Sequence, residues 1–128
     1  MAERISDKIQ TADWKGEKHV PVIDCPESVG AGENVSVTVT VGKEIAHPNT
    51  AEHHVRWIRA YFVPEGGTFA IDVGNFEFNA HGESVDNSIY TDHSVTFSLK
   101  TTKGGSINAV SYCNIHGLWE SKKNILVE

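Results

Sequence analysis

Residues 34–42 read Asn34-Val-Ser-Val-Thr-Val-Thr-Val-Gly42. Val35, Val37, Val39 and Val41 share one side of an extended chain, and Ser36, Thr38 and Thr40 share the other. Strict period two with β-branched residues predicts a strand with one face in a core and the other in water.

Further strands are predicted on both sides of it: residues 20–24, 55–63, 68–73, 76–80, 94–100, 107–112 and 124–128. Turn chemistry separates them at Gly30-Ala-Gly32, Pro64-Glu-Gly-Gly67, Gly82 and Gly104-Gly105. No long segment carries the 3.6-residue apolar stripe of an amphipathic helix, and Ile5 to Gln10 could form a turn or two at most. The pattern predicts an all-β chain, an immunoglobulin-like antiparallel β-sandwich of about seven strands. With no repeat, low-complexity tract or Pro/Ser-rich linker, the 128 residues are expected to form a single domain, with 1–13 as a short N-terminal extension.

Hydrophobic content of 39% and charged content of 22% are ordinary for a soluble globular protein. The first residues, Met-Ala-Glu-Arg-Ile-Ser-Asp-Lys, lack the apolar run of a signal peptide, and no stretch reaches the roughly 20 apolar residues of a membrane span. A soluble, cytoplasmic protein is expected. The net charge of −6 argues against nucleic acid or an anionic membrane as partner, and an anionic substrate would need a local cation. Two cysteines, Cys25 and Cys113, are too few for a disulfide scaffold.

Chemistry-bearing side chains gather in three places: Gly16-Glu-Lys-His-Val-Pro21, Glu44-Ile-Ala-His-Pro-Asn-Thr-Ala-Glu-His-His54, and Ser111-Tyr-Cys-Asn-Ile-His-Gly-Leu-Trp119. In a strand start, His53 and His54 point to opposite faces, so only one can join His47. Cys113 and His116, three apart in a turn, could share one metal, and the amides of Ile115 and His116 could bond the sulfur. Alone, the second cluster reads better as solvated loop histidines, and the third more commonly as a buried cysteine beside an unrelated histidine. Together they supply His19, His47, His53, His116 and Cys113, more imidazole than a structural zinc site needs and closer to a redox metal with one soft sulfur. A blue-copper site is disfavoured because Gly-Leu-Trp-Glu-Ser follows His116 and the only methionine is Met1. Three separate imidazole segments also exceed what a Cys-His nucleophilic couple would use.

Glu17-Lys-His-Val-Pro-Val-Ile23, His47-Pro-Asn-Thr50 with Glu52-His-His54, and Ser111 to Trp119 closely resemble the superoxide reductases of the one-iron type, or neelaredoxins, and the iron domain of desulfoferrodoxin. The likeness runs from about Trp14 to the C-terminus and includes Ala80-His-Gly-Glu-Ser84. It implies one iron ion (Fe2+/Fe3+) per chain, with His19, His47, His53 and His116 in a plane and Cys113 on the axis. Glu17 resembles the carboxylate that takes the sixth position on ferric iron, and Lys18 the lysine that draws in superoxide. The implied activity is one-electron reduction of superoxide to hydrogen peroxide without dioxygen release, recharged by an external donor such as a rubredoxin. Homodimers or homotetramers are implied as well. The four-cysteine module of two-iron members is expected to be absent, leaving Cys25 without a role. The alternative is a non-catalytic metal-binding or electron-transfer sandwich of cupredoxin type. His54 is expected on the opposite face or behind a ligand, and His81 and His93 are expected to be structural or at the surface. Trp14 and Trp119 are open to either metal shielding or ordinary packing.

Overall fold

The structure, a computed structural model, describes residues 3–128; the first two residues of the expected extension lie outside them. Ten strands follow one 3-10 turn at Ile5–Asp7. They are β1 (Pro21–Asp24), β2 (Ser28–Val29), β3 (Asn34–Val41), β4 (Val55–Pro64), β5 (Ile71–Glu77), β6 (His81–Glu83), β7 (Ile89–Tyr90), β8 (Ser94–Lys100), β9 (Gly105–Cys113) and β10 (Gly117–Val127). Those of four residues or more are β1, β3, β4, β5, β8, β9 and β10, the seven-strand sandwich that the alternation calls for.

One sheet has the order β1-β3-β8, the other β2-β10-β9-β4-β5, and β6 pairs with β7 in a small ribbon. All pairings are antiparallel except the short parallel contact of β2 with β10. The valine face of β3 lies inward: Val35, Val37, Val39 and Val41 are at most 1% exposed. Opposite them sit Ile58 and Phe62 of β4, Ile107 and Ala109 of β9 and Ile125 of β10, one contiguous apolar core. On the outer face, Thr38 bonds Thr96 and Thr40 bonds Ser94 across the β3–β8 pair, at 2.8 and 2.7 Å.

Two expected boundaries shift, each for a physical reason. The strands expected at 68–73 and 76–80 are a single strand, β5. Gly74 interrupts the sequence pattern but not the sheet, because the β4–β5 register slips beside Ala60, its partner. Glycine inside a strand commonly marks such a bulge. The last strand begins at Gly117 rather than 124 because its inward positions 121 and 123 are polar. The Ser121 hydroxyl donates to the Pro21 carbonyl, and Lys123 Nζ donates to the Cys25 carbonyl at 2.7 Å. Two hydrogen bonds thus do between β10 and the β1 end what apolar contact does elsewhere. Cys25 and Cys113 are both buried and unbridged, as expected of a sandwich lacking the immunoglobulin disulfide. Burial pushes the Cys25 thiol above its usual range.

Candidate metal centre

Four chain segments meet at one end of the sandwich, and each is shaped by its own local rule. The first, Glu17 to His19, precedes β1. Glu17 Oε1 accepts from the His19 amide at 2.9 Å and sits 2.6 Å from His19 Nδ1. A carboxylate only accepts, so Nδ1 carries the hydrogen and Nε2 turns its lone pair inward. Burial alone would raise the Glu17 pKa. The bonds to His19 and the charges of His19 and Lys18 outweigh it and hold the carboxyl below its usual range.

The second segment is the loop from Gly42 to His47. Gly42 has φ +79°, and a Cβ there would lie 2.5 Å from the His47 nitrogen, so only glycine lets the loop close. His47 Nδ1 donates to the Pro48 carbonyl at 2.6 Å. Its Nε2 is therefore a bare lone pair, buried and with no hydrogen-bond partner. Burial drives the His47 pKa down to about 4, against the opposing pull of the Pro48 carbonyl.

The third segment carries His53 into β4. Thr50 closes it, its amide donating to the His53 carbonyl at 2.9 Å and its Oγ1 accepting from the His53 amide at 3.0 Å. A register slip between Val55 and Trp57 bends β4 where it leaves this loop. Burial first, and then the charges of His116, His19 and Lys18, lower the His53 pKa.

The fourth is the β9–β10 hairpin. Cys113 pairs with Gly117, so residues 114–116 form a three-residue loop with Gly117 at φ +80°. The Cys-x-x-His spacing is thus the turn itself. Of the two amides expected at the sulfur, it is that of His116 that donates, at 3.4 Å. Asn114 ties this turn to the third segment: its Oδ1 accepts from the His54 amide at 2.8 Å, and its Nδ2 donates to the Glu52 carbonyl at 2.9 Å.

The four imidazoles form a near-square. Successive ring centroids are 4.9 Å (His19–His47), 4.8 Å (His47–His53), 5.1 Å (His53–His116) and 4.7 Å (His116–His19) apart, with a His19–His53 diagonal of 6.3 Å. One donor atom from each of His19, His47, His53 and Cys113 lies within 4.8 Å of the others. His116 falls outside that tightest group of four, yet its Nδ1 is 3.1 Å from His19 Nε2 and 3.8 Å from Cys113 Sγ. Sγ also stands 3.2 Å from His53 Nε2.

These residues fit a metal ion. Nitrogen and sulfur donors converge here within reach of one ion, and an orphaned buried nitrogen such as His47 Nε2 is rare without a ligand. Beside the square, a cavity of about 390 Å³ is lined by Gly16, Glu17, Lys18, His19 and Ile45. Glu17 is seated on the outer nitrogen of His19 and not among the converging donors.

The surroundings hold the groups expected behind a ligand, in structural positions or at the surface, and the two tryptophans left open between shielding and packing. His93 is 8% exposed, and its ring packs edge-on at 5.7 Å against His47. His54, buried, stacks flat on His81 at 3.6 Å, directly behind the His53 segment. Trp119 stacks on His19 at 5.0 Å. Trp14 lies apart, beneath the ammonium groups of Lys15 and Lys43. No local pattern marks the His93–His47, His54–His81 and Trp119–His19 contacts, because each joins residues that are distant in sequence.

The chain is 55% identical to neelaredoxin from Megalodesulfovibrio gigas, over 98% of this chain and 99% of that one. It is 56% identical to superoxide reductase from Pyrococcus furiosus, over 92% and 96%. The structure superposes on the reduced form of superoxide reductase (neelaredoxin) from Archaeoglobus fulgidus with a TM-score of 0.85 and 51% identity, covering 93% and 98% of the two chains. The desulfoferrodoxin family model matches residues 11–122, a span holding all four segments of the centre. By that match, and by identities above one half along nearly the whole length, the chain belongs to the desulfoferrodoxin family.

Proposed function

We propose that this protein is a superoxide reductase holding one iron ion per chain, with His19, His47, His53, His116 and Cys113 as its ligands. The observation that carries the reading is the near-square of four imidazoles closing on a single buried thiol. An iron ion held by these residues would supply one electron to superoxide by passing from its ferrous to its ferric state. With that electron and two protons, superoxide would become hydrogen peroxide, and no dioxygen would form.

The chain's own residues govern the rest. Lys18, which lines the cavity beside His19, offers the local cation that a body of net charge −6 otherwise lacks. Glu17 holds His19 Nδ1 through its carboxylate, and if that bond were released the same carboxylate would be a further ligand for the iron. The His116 amide, donating to Cys113 Sγ, sets the sulfur's electron donation. An external one-electron donor of rubredoxin type restores the ferrous state. The assembly is a homodimer or homotetramer, and the compartment is the cytoplasm. No helix among the described residues is long and apolar enough to cross a membrane.

A cupredoxin-like carrier would use the same fold without consuming substrate. Rapid mixing of the reduced, iron-loaded protein with superoxide separates the two readings. Stoichiometric peroxide with no dioxygen is the expected result. Dioxygen release would identify a dismutase, and unconsumed superoxide a carrier.

A further inference from the structure

Trp119 is 8% exposed at the start of β10, yet it is not part of the apolar core between the sheets. Its ring lies at the histidine end and makes two contacts of different kinds. The indole stacks on His19 with centroids 5.0 Å apart and planes within 14°. That is the offset parallel geometry in which aromatic rings attract beyond their buried area. Its Nε1–H donates to the His116 carbonyl at 3.3 Å. The same carbonyl accepts from Gln10 Nε2 at 3.1 Å. One side chain thus touches two neighbouring corners of the square, whose rings are 4.7 Å apart.

The indole is itself held rigidly. The amide of Gln10 donates to the Leu118 carbonyl at 3.0 Å, and the amide of Glu120 donates to the Gln10 carbonyl at 2.8 Å. The main chain on both sides of Trp119 is therefore tied to the N-terminal segment. His19 is correspondingly constrained twice, at its edge by Glu17 Oε1 and on its face by the indole. A carboxylate at one nitrogen leaves a ring free to rotate about that bond; a flat stack removes the rotation.

We propose that Trp119 is a positioning residue of the metal centre, holding the plane of His19 by stacking and the main chain of His116 by its indole N–H, so that the two imidazoles meet the ion at a fixed angle. The inference rests on the iron-site reading above and concerns what orients the ligands, not which residues they are. Outer groups that orient metal-bound histidines typically contribute 10–100-fold to affinity.

Two variants divide the roles. Trp119→Phe keeps a ring for the stack and loses the donor, while Trp119→Leu loses both. Each is loaded with iron and compared with wild type by the rate of iron release to a chelator, the ferric EPR rhombicity and the thiolate charge-transfer band. Thermal unfolding of the metal-free chains accompanies these measurements. The expected result for Trp119→Leu is iron release faster by roughly 10–100-fold, with altered rhombicity. Trp119→Phe should fall between Trp119→Leu and wild type and keep the wild-type melting temperature without metal. Wild-type release and rhombicity in both variants would overturn the proposal. So would a loss of affinity that only tracks the fall in metal-free stability, with the spectra unchanged. A wild-type chain that takes up no iron would instead sink the iron-site reading, and this inference with it.

Discussion

At the scale of single residues, His47 shows how an imidazole is prepared for a metal before one arrives. Its Nδ1 is committed to the Pro48 carbonyl and its Nε2 has no partner, so burial favours the neutral ring and lowers its pKa to about 4. His53 and His93 are shifted the same way, each mainly by burial. The unfolded chain protonates such rings near 6.5 while the folded chain does not, so between those values the unfolded state binds more protons. Stability of the metal-free protein should therefore fall as pH drops from about 6.5 toward 4. Urea midpoints measured at several pH values without metal test this, and a flat profile would contradict it. Gly42 tests the same histidine through the backbone. Gly42→Ala should cost at least about 1–2 kcal/mol for its left-handed φ and also displace His47, weakening metal binding. Gly32 is the control: its φ is +76°, but a Cβ there meets nothing within 4 Å. Gly32→Ala should lose comparable stability and leave metal affinity intact. The donor side chains that meet at this end were legible in three short motifs because each motif carries its own donor. The ring contacts of His93 with His47 and of Trp119 with His19 were not, since those partners arrive from distant segments.

At the scale of elements, the alternation of β3 was legible because it is pure, valine inward and hydroxyl outward, with a core on one side only. β10 was not, and the cause is specific. Its inward Ser121 and Lys123 break the apolar pattern while still facing the other sheet, where carbonyl groups of Pro21 and Cys25 receive them. Lys123→Met keeps the stem's length and removes the donor. The Cys25 carbonyl then loses its partner in a half-buried position, a change that should cost about 1–3 kcal/mol. Chemical denaturation of the variant measures it, and an unchanged midpoint would mean that the bond adds nothing net. The β9–β10 hairpin makes the opposite point. Its Cys-x-x-His turn was visible as spacing, and the structure adds why that spacing recurs in one loop: a left-handed Gly117 closes a three-residue connection and leaves both side chains on the same end.

At the scale of the whole molecule, the ligand-bearing segments are far apart in sequence and all lie at one end of the sandwich, while the valine-rich core fills the space between the sheets. An ion that binds only the folded chain adds stability by mass action, about 4 kcal/mol at a thousandfold excess over its dissociation constant. Stripping it with a chelator should lower the melting temperature markedly without abolishing cooperative unfolding, since the core does not depend on it; calorimetry with and without metal checks this. The division of labour also has a spatial consequence. Residues 42–54 and 114–116 are joined to the rest chiefly through turns and a few side-chain clasps such as Asn114. Emptying the centre should let deuterium into those amides while β3 and β9 remain sealed, so that metallation works as a latch on one rim of an already closed box.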